Sequence, residues 1–168
     1  MKLIKTSLLA MVLLFTVASC SKDEAVVEET VHYTIDVNLA QETDWTMANE
    51  ILDLVNAHRT SQGLSTLKRD QQYASAYAVD HTKYMISIED INHDNFQTRK
   101  EAMKDRGAIR VSENVAYGYQ TAEAVVTAWL NSPDHRKNIE GDFTHLGFGV
   151  LQSEDDSRYY FTQLFYKK

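Results

Sequence analysis

The chain has 168 residues, 43% of them hydrophobic, and a net charge of −7, enough for one domain with a sizeable core. An acidic balance of this size excludes the electrostatic footprint of a nucleic-acid binder and gives no pull toward anionic lipid. The single cysteine excludes a disulfide within the chain, so the fold stands on packing alone.

Taken in chain order, residues 1–19 read as a signal peptide. Lys2 and Lys5 precede the apolar run from Leu8 to Val17, and Ala18-Ser19-Cys20 follows. That is a charged start, an apolar stretch too short to span a bilayer, and small residues before a processing site. The arrangement resembles a bacterial lipoprotein signal, which implies lipid on Cys20 and anchorage of the cell-envelope domain to the bacterial outer membrane. An ordinary secretory signal followed by an unpaired cysteine is the alternative. Loss of Lys2 and Lys5 takes the net charge from −7 to −9, so any membrane partner is reached through Cys20 rather than by charge. SKDE, directly after the cysteine, is similar to acidic surface-export signals of some bacterial lipoproteins, which extends the expected location to surface display.

Residues 20–44 read as an acidic tether, polar and without a helical apolar stripe. Tyr33, Ile35 and Val37 alternate, which allows either a brief strand near 32–38 or an extended linker. The folded domain is expected over 45–168. Met47, Ile51, Leu54, Val55 and His58 share one helical face, and Gly63 closes that segment. Asp70 is expected to cap a second helix in which Tyr73, Ala76, Tyr77, Asp80 and Tyr84 recur. FQTRKEAMKDRG predicts a third, short helix ending at Gly107. SENVAYG leans toward strand, and TAEAVVTAWLN predicts a fourth helix carrying Val125, Val126 and Trp129. LGFGVLQ and RYYFTQLFY, joined by SEDDS, predict a closing hairpin. Gly147 and Gly149 within it point to close backbone approach. Helices and strands that mix without alternating suggest a small sheet between helices.

The only proline, Pro133, lies in WLNSPDHRKNI. It pushes Ser132 out of the α region and ends the preceding helix. Ser132 is then placed to cap a new helix, with Pro133 as its first residue and Asp134 as a first-turn acid. His135 follows on a stiff turn. With His93 in INHDNF and Glu113 in SENVAYG, it makes two imidazoles and a carboxylate in three separate segments, the groups needed for a divalent-metal site or an acid–base pair. Spacing alone does not bring them together.

The order and wording of these segments resemble the CAP superfamily (cysteine-rich secretory, antigen 5 and pathogenesis-related-1 proteins) in its disulfide-free bacterial form. ILDLVNAHRTSQGLSTL is similar to the family's opening helix and loop, NHDNF to its first histidine motif, SENVAYG to its Gly-Glu-Asn motif, and WLNSPDHRKNI to its Trp…Ser-Pro-Gly-His-Arg run. LGFGV…YYFTQLF is similar to the closing strands, and the likeness covers roughly residues 46–166. It implies an α+β fold, a three-layer α-β-α sandwich with a small, mainly antiparallel central sheet. It also implies a cleft containing His93, Glu113 and His135, in which zinc or another divalent cation is held by the histidines. The second glutamate of eukaryotic members corresponds to Ser132. Ser112 and Asp134 replace the glycines that precede Glu113 and His135. Asp134 is therefore expected either to raise the pKa of His135 or to supply a missing carboxylate.

Tyr117 and Tyr119, beside Glu113, are expected to touch a cleft ligand. Asn114 is expected to hold the motif by backbone bonds, and Trp129 to pack the helix below the cleft, with Pro133 aiming His135 into it. Ser132 three residues before His135 fits an N-cap better than a nucleophile. His58 and His81 are expected as surface or partly buried helical imidazoles, His32 as solvated, and His145 is a candidate for the cleft edge. Two functions follow from the resemblance. The first is a binding protein for a small apolar ligand or an extracellular or cell-envelope protein partner. The second is a metal-assisted, peptidase-like hydrolase with His93 and His135 as ligands and Glu113 as catalytic base. Two protein ligands are fewer than catalytic zinc normally has, which favours the first.

Overall fold

The computed structural model describes residues 33–168; the signal, Cys20 and His32 lie outside them. Five α-helices and four strands follow a short 3-10 helix, Val37–Glu42. The helices are α1 Trp45–Ser61, α2 Tyr73–Ser87, α3 Phe96–Asp105, α4 Ala122–Asn131 and α5 Pro133–Ile139. The strands are β1 Lys68–Asp70, β2 Arg110–Tyr117, β3 His145–Gln152 and β4 Tyr159–Lys167. The sheet order is β1-β3-β4-β2, with β1 parallel to β3 and the other pairs antiparallel.

Strand alternation divides the core into two layers. Phe148, Phe161 and Phe165 face α1 and α4, where they pack with Ile51, Val55, Val125 and Trp129. Leu164 and Tyr166 face the other way, onto Ala74, Tyr77 and Ala78 of α2 and Ala102 and Met103 of α3. The expected three-layer α-β-α sandwich is thus the observed fold. On β3 the residues facing α2 are glycines, and the helix lies directly on the strand. A Cβ at Gly147 would stand 2.4 Å from the Ala74 carbonyl carbon, and one at Gly149 2.3 Å from the Ala78 oxygen.

Local caps set the element ends. Asp44 accepts from the Met47 amide at the start of α1, and Thr121 from the Ala124 amide at the start of α4. Two expected caps differ. Asp70 bonds the Gln72 amide two residues on and accepts from the Tyr166 hydroxyl, so it organises the turn before α2 rather than capping the helix. Ser132 has cap-like extended dihedrals with Pro133 first in the helix, yet its hydroxyl makes no cap bond.

Residues 33–44, expected as part of the tether, pack on the domain. From Tyr33 onward the chain lies against the domain as an arm and forms no strand. Tyr33 stacks on Tyr77 and its hydroxyl donates to Asp80. Farther along, the Thr43 hydroxyl donates to the Phe148 carbonyl and the Asp44 amide to the Val150 carbonyl. The stacking of a half-buried Tyr33 on the buried Tyr77 and the hydrogen bonds to β3 carbonyls outweigh the acidic composition that suggested a solvated linker.

Candidate functional site

β2 is an edge strand, and its alternation sorts the site residues. Val111 and Val115 belong to the α2/α3 side and Ala116 to the α1/α4 side. Glu113 therefore points toward α2 and α3, and Asn114 toward α4 and α5.

Glu113 is only 5% exposed, and both of its oxygens accept hydrogen bonds. Oε1 accepts from His93 Nδ1 at 2.9 Å and from Arg99 Nη2 at 2.9 Å, and Oε2 accepts from Arg99 Nε at 2.9 Å. This is a bidentate guanidinium–carboxylate pair in a dry environment. Burial alone would raise the Glu113 carboxyl, but the bonds from His93 and Arg99 and the Arg99 charge outweigh it and hold it below the ordinary carboxylate value. The structure thus adds a group that the motifs did not single out, since Arg99 lies in the middle of α3.

His81 is the second addition. It is 2% exposed, its Nε2 stands 3.9 Å from Glu113 Oε1, and that nitrogen donates to the Asn92 carbonyl at 2.9 Å. Burial, with Arg99 beside it, lowers its pKa and keeps it neutral, against the pull of Glu113. His81 also fixes the loop that carries His93. Its bond to Asn92, the Arg99 Nη1 bond to the Asp94 carbonyl and the Tyr84 hydroxyl on the Asp94 carboxylate hold that loop on both sides of His93.

His135 lies in the first turn of α5, on the other side of the β2 edge. An amide network sets that helix. Asn114 Nδ2 donates to the His135 carbonyl at 3.2 Å, Asn138 Nδ2 donates to the Glu113 carbonyl at 3.0 Å and to Asn114 Oδ1 at 2.8 Å, and the Ser112 hydroxyl donates to Asn138 Oδ1. Trp129 Nε1 donates to the Val115 carbonyl at 3.1 Å. Carbonyls on the open edge of β2 are in this way covered by α4 and α5. Burial lowers the pKa of His135 and the nearby His93 adds to this; Asp134 acts in the raising direction but is outweighed. The expected upward pull of Asp134 on His135 is present, but burial outweighs it and the net shift is downward. Asp134 is exposed on α5.

Beside His135 runs a groove of about 250 Å³, lined by Ile91, Val115, Tyr117, Tyr119, Ala128 and Trp129, with Ser132 at its polar side. The Tyr117 hydroxyl is already bound to Asp156 and Arg158, so the groove receives its ring. Ser132, freed from capping, contributes to the wall. His58 pairs with Glu140 at 2.8 Å, away from the groove. His145 stacks on Tyr166 at the other end of the sheet, so it does not edge the cleft.

The donor set does not suit a three-ligand metal centre. Among the described residues no three His, Cys, Asp or Glu groups are arranged to hold an ion. Glu113 has given both oxygens to a guanidinium, which leaves His93 and His135 as two imidazole donors.

Residues 52–165 match the CAP cysteine-rich secretory protein family, and the chain belongs to that family. The uncharacterized membrane protein YlbC of Bacillus subtilis is 37% identical over 73% of this chain and 35% of its own length. YkwD from the same bacterium is 36% identical over 62% of this chain and 42% of its own. The chain thus spans well under half the length of these curated relatives. Among solved structures, an extracellular protein containing an SCP domain from Bacillus anthracis superposes with a TM-score of 0.64 at 31% identity, covering 77% of this chain and 43% of that one. An outer surface protein of Borrelia burgdorferi shares the fold, with a TM-score of 0.65 at 24% identity over 73% of this chain and 93% of that one.

Proposed function

We propose that this CAP domain is a lipid-anchored, extracytoplasmic binding protein whose groove beside His135 takes a small apolar ligand. The observation that carries the reading is the Arg99–Glu113 pair. A carboxylate held at both oxygens by a buried guanidinium is poorly suited as a general base and as a metal ligand, so the metal-hydrolase alternative lacks its central group. The groove beside His135 has walls that are mainly apolar, with one neutral imidazole to orient a polar end. Anchorage rests on the signal and Cys20, and the extracytoplasmic setting is supported by the similar extracellular protein of Bacillus anthracis and membrane protein of Bacillus subtilis.

The test is titration of the full chain with Nile red, an uncharged fluorescent apolar probe, with and without EDTA. Saturable binding that survives EDTA and is lost in Ala128→Phe, which fills the groove, is expected. Equal binding by Ala128→Phe overturns the reading. Peptide or ester turnover abolished by EDTA and by Glu113→Gln would establish the hydrolase instead.

A further inference from the structure

A second cavity, of about 540 Å³, opens between α2 and α3 and is walled at one side by the N-terminal arm. It shares no lining residue with the groove beside His135. Arg99 and His81, both beside Glu113, are among its lining residues. Its volume falls within the usual range for small-molecule sites.

The charges around it are unequal. Lys83 is neutralised by Glu42 at 2.5 Å, and Arg99 by the two oxygens of Glu113. Asp80 faces the same space, and its partner is the neutral Tyr33 hydroxyl; among the described residues no cation pairs with it. The Tyr33 and Tyr84 rings line the cavity, and each is held by a stacked neighbour, Tyr33 by Tyr77 at 5.4 Å and Tyr84 by His81 at 6.0 Å. A carboxylate without a cation that shares a cavity with two fixed aromatic rings favours positive charge, because ring faces and carboxylate both attract it. In the cavity wall, Arg99 donates three hydrogen bonds, to Glu113 twice and to the Asp94 carbonyl, which leaves guanidinium N–H groups over for an oxygen acceptor.

We propose that this cavity binds a small organic ammonium ion of the amino-alcohol type, its cationic end at Asp80 with the Tyr33 and Tyr84 rings and its oxygen toward Arg99. The site depends on the arm, since the Tyr33 ring supplies one of its walls. It is independent of the groove ligand.

The experiment is calorimetric and NMR titration of the full chain with choline, ethanolamine and 3,3-dimethyl-1-butanol, the last a neutral carbon isostere of choline. Choline and ethanolamine are expected to bind saturably, with the isostere weaker by about tenfold or more. Asp80→Asn should weaken choline by at least about tenfold, while Ala128→Phe leaves it unchanged. Tyr33→Phe keeps the ring and releases the carboxylate from its phenol, so it should bind choline at least as tightly; this separates loss of charge from loss of the arm. Equal affinity for the isostere, an unchanged affinity in Asp80→Asn, or the absence of saturable ammonium binding up to about 50 mM overturns the proposal.

Discussion

Replacing Arg99 with Met removes one half of a pair whose side chains are 4% and 1% exposed. Methionine fills much of the same volume, so the loss is mainly electrostatic: Glu113 keeps the His93 bond and loses its charge-assisted contacts to the guanidinium. Breaking a buried pair on one side costs about 3–5 kcal/mol, which in a domain of this size lowers Tm by roughly 10–15 °C. The pH dependence identifies the cause. In the wild type the folded-state carboxyl lies below its unfolded value, so its contribution is present above the ordinary carboxylate range and is lost as pH falls through the folded value. In Arg99→Met burial prevails and the carboxyl rises, so that variant gains stability on acidification and loses it as pH climbs through the raised value. Melting curves of the two proteins should therefore converge between neutral pH and pH 4. The double variant Arg99→Met, Glu113→Gln should recover a large part of the loss at neutral pH. A penalty under about 1 kcal/mol, or a gap between the curves that does not change with pH, would refute the role assigned to the pair.

Gly149→Ala places a Cβ against the Ala78 backbone, which cannot swing aside as a side chain would. A loss of about 1–3 kcal/mol in urea denaturation is expected, and full tolerance would contradict the direct packing of α2 on β3. In Asp134→Asn the His135 pKa, already below the ordinary histidine value from burial, should fall further because the one opposing charge is gone. Histidine ring resonances followed by NMR through pH 4–8 measure it, and an unchanged value would show that the carboxylate is not felt.

Elements with strong periodicity were legible in the sequence, since α1, α2 and α4 carry apolar residues at helical spacing and the β3–β4 hairpin is bounded by a polar turn. β1 was not. Its three residues, Lys68, Arg69 and Asp70, are polar and largely exposed, and it exists because β3 offers a parallel partner rather than because of its own pattern. The arm was obscured by acidic composition, although Tyr33 marked where packing begins. Within the site, the motifs named Glu113, His93 and His135 but missed what holds them. Phe96, Arg99 and Met103 fall on one stripe of α3, and Tyr77, His81 and Tyr84 on one stripe of α2. A cation and an imidazole on otherwise inward-facing stripes were the available signal. Their shared carboxylate, on a strand after both helices, was not visible from local spacing.

The position of β4 has a consequence for how the fold is reached. β2 has β4 as its neighbour in the sheet, and β4 also carries β3, so residues 159–167 join two strands that make no pairing with each other. A growing chain that has produced β2 must wait for α4, α5 and β3 to be made before that partner arrives, holding Glu113 on a strand without a sheet. The carboxylate, its guanidinium and both flanking imidazoles are all synthesised before the strand that fixes their spacing. Shortening the chain ahead of Tyr159 would leave every one of these groups in place in the sequence and none of them assembled.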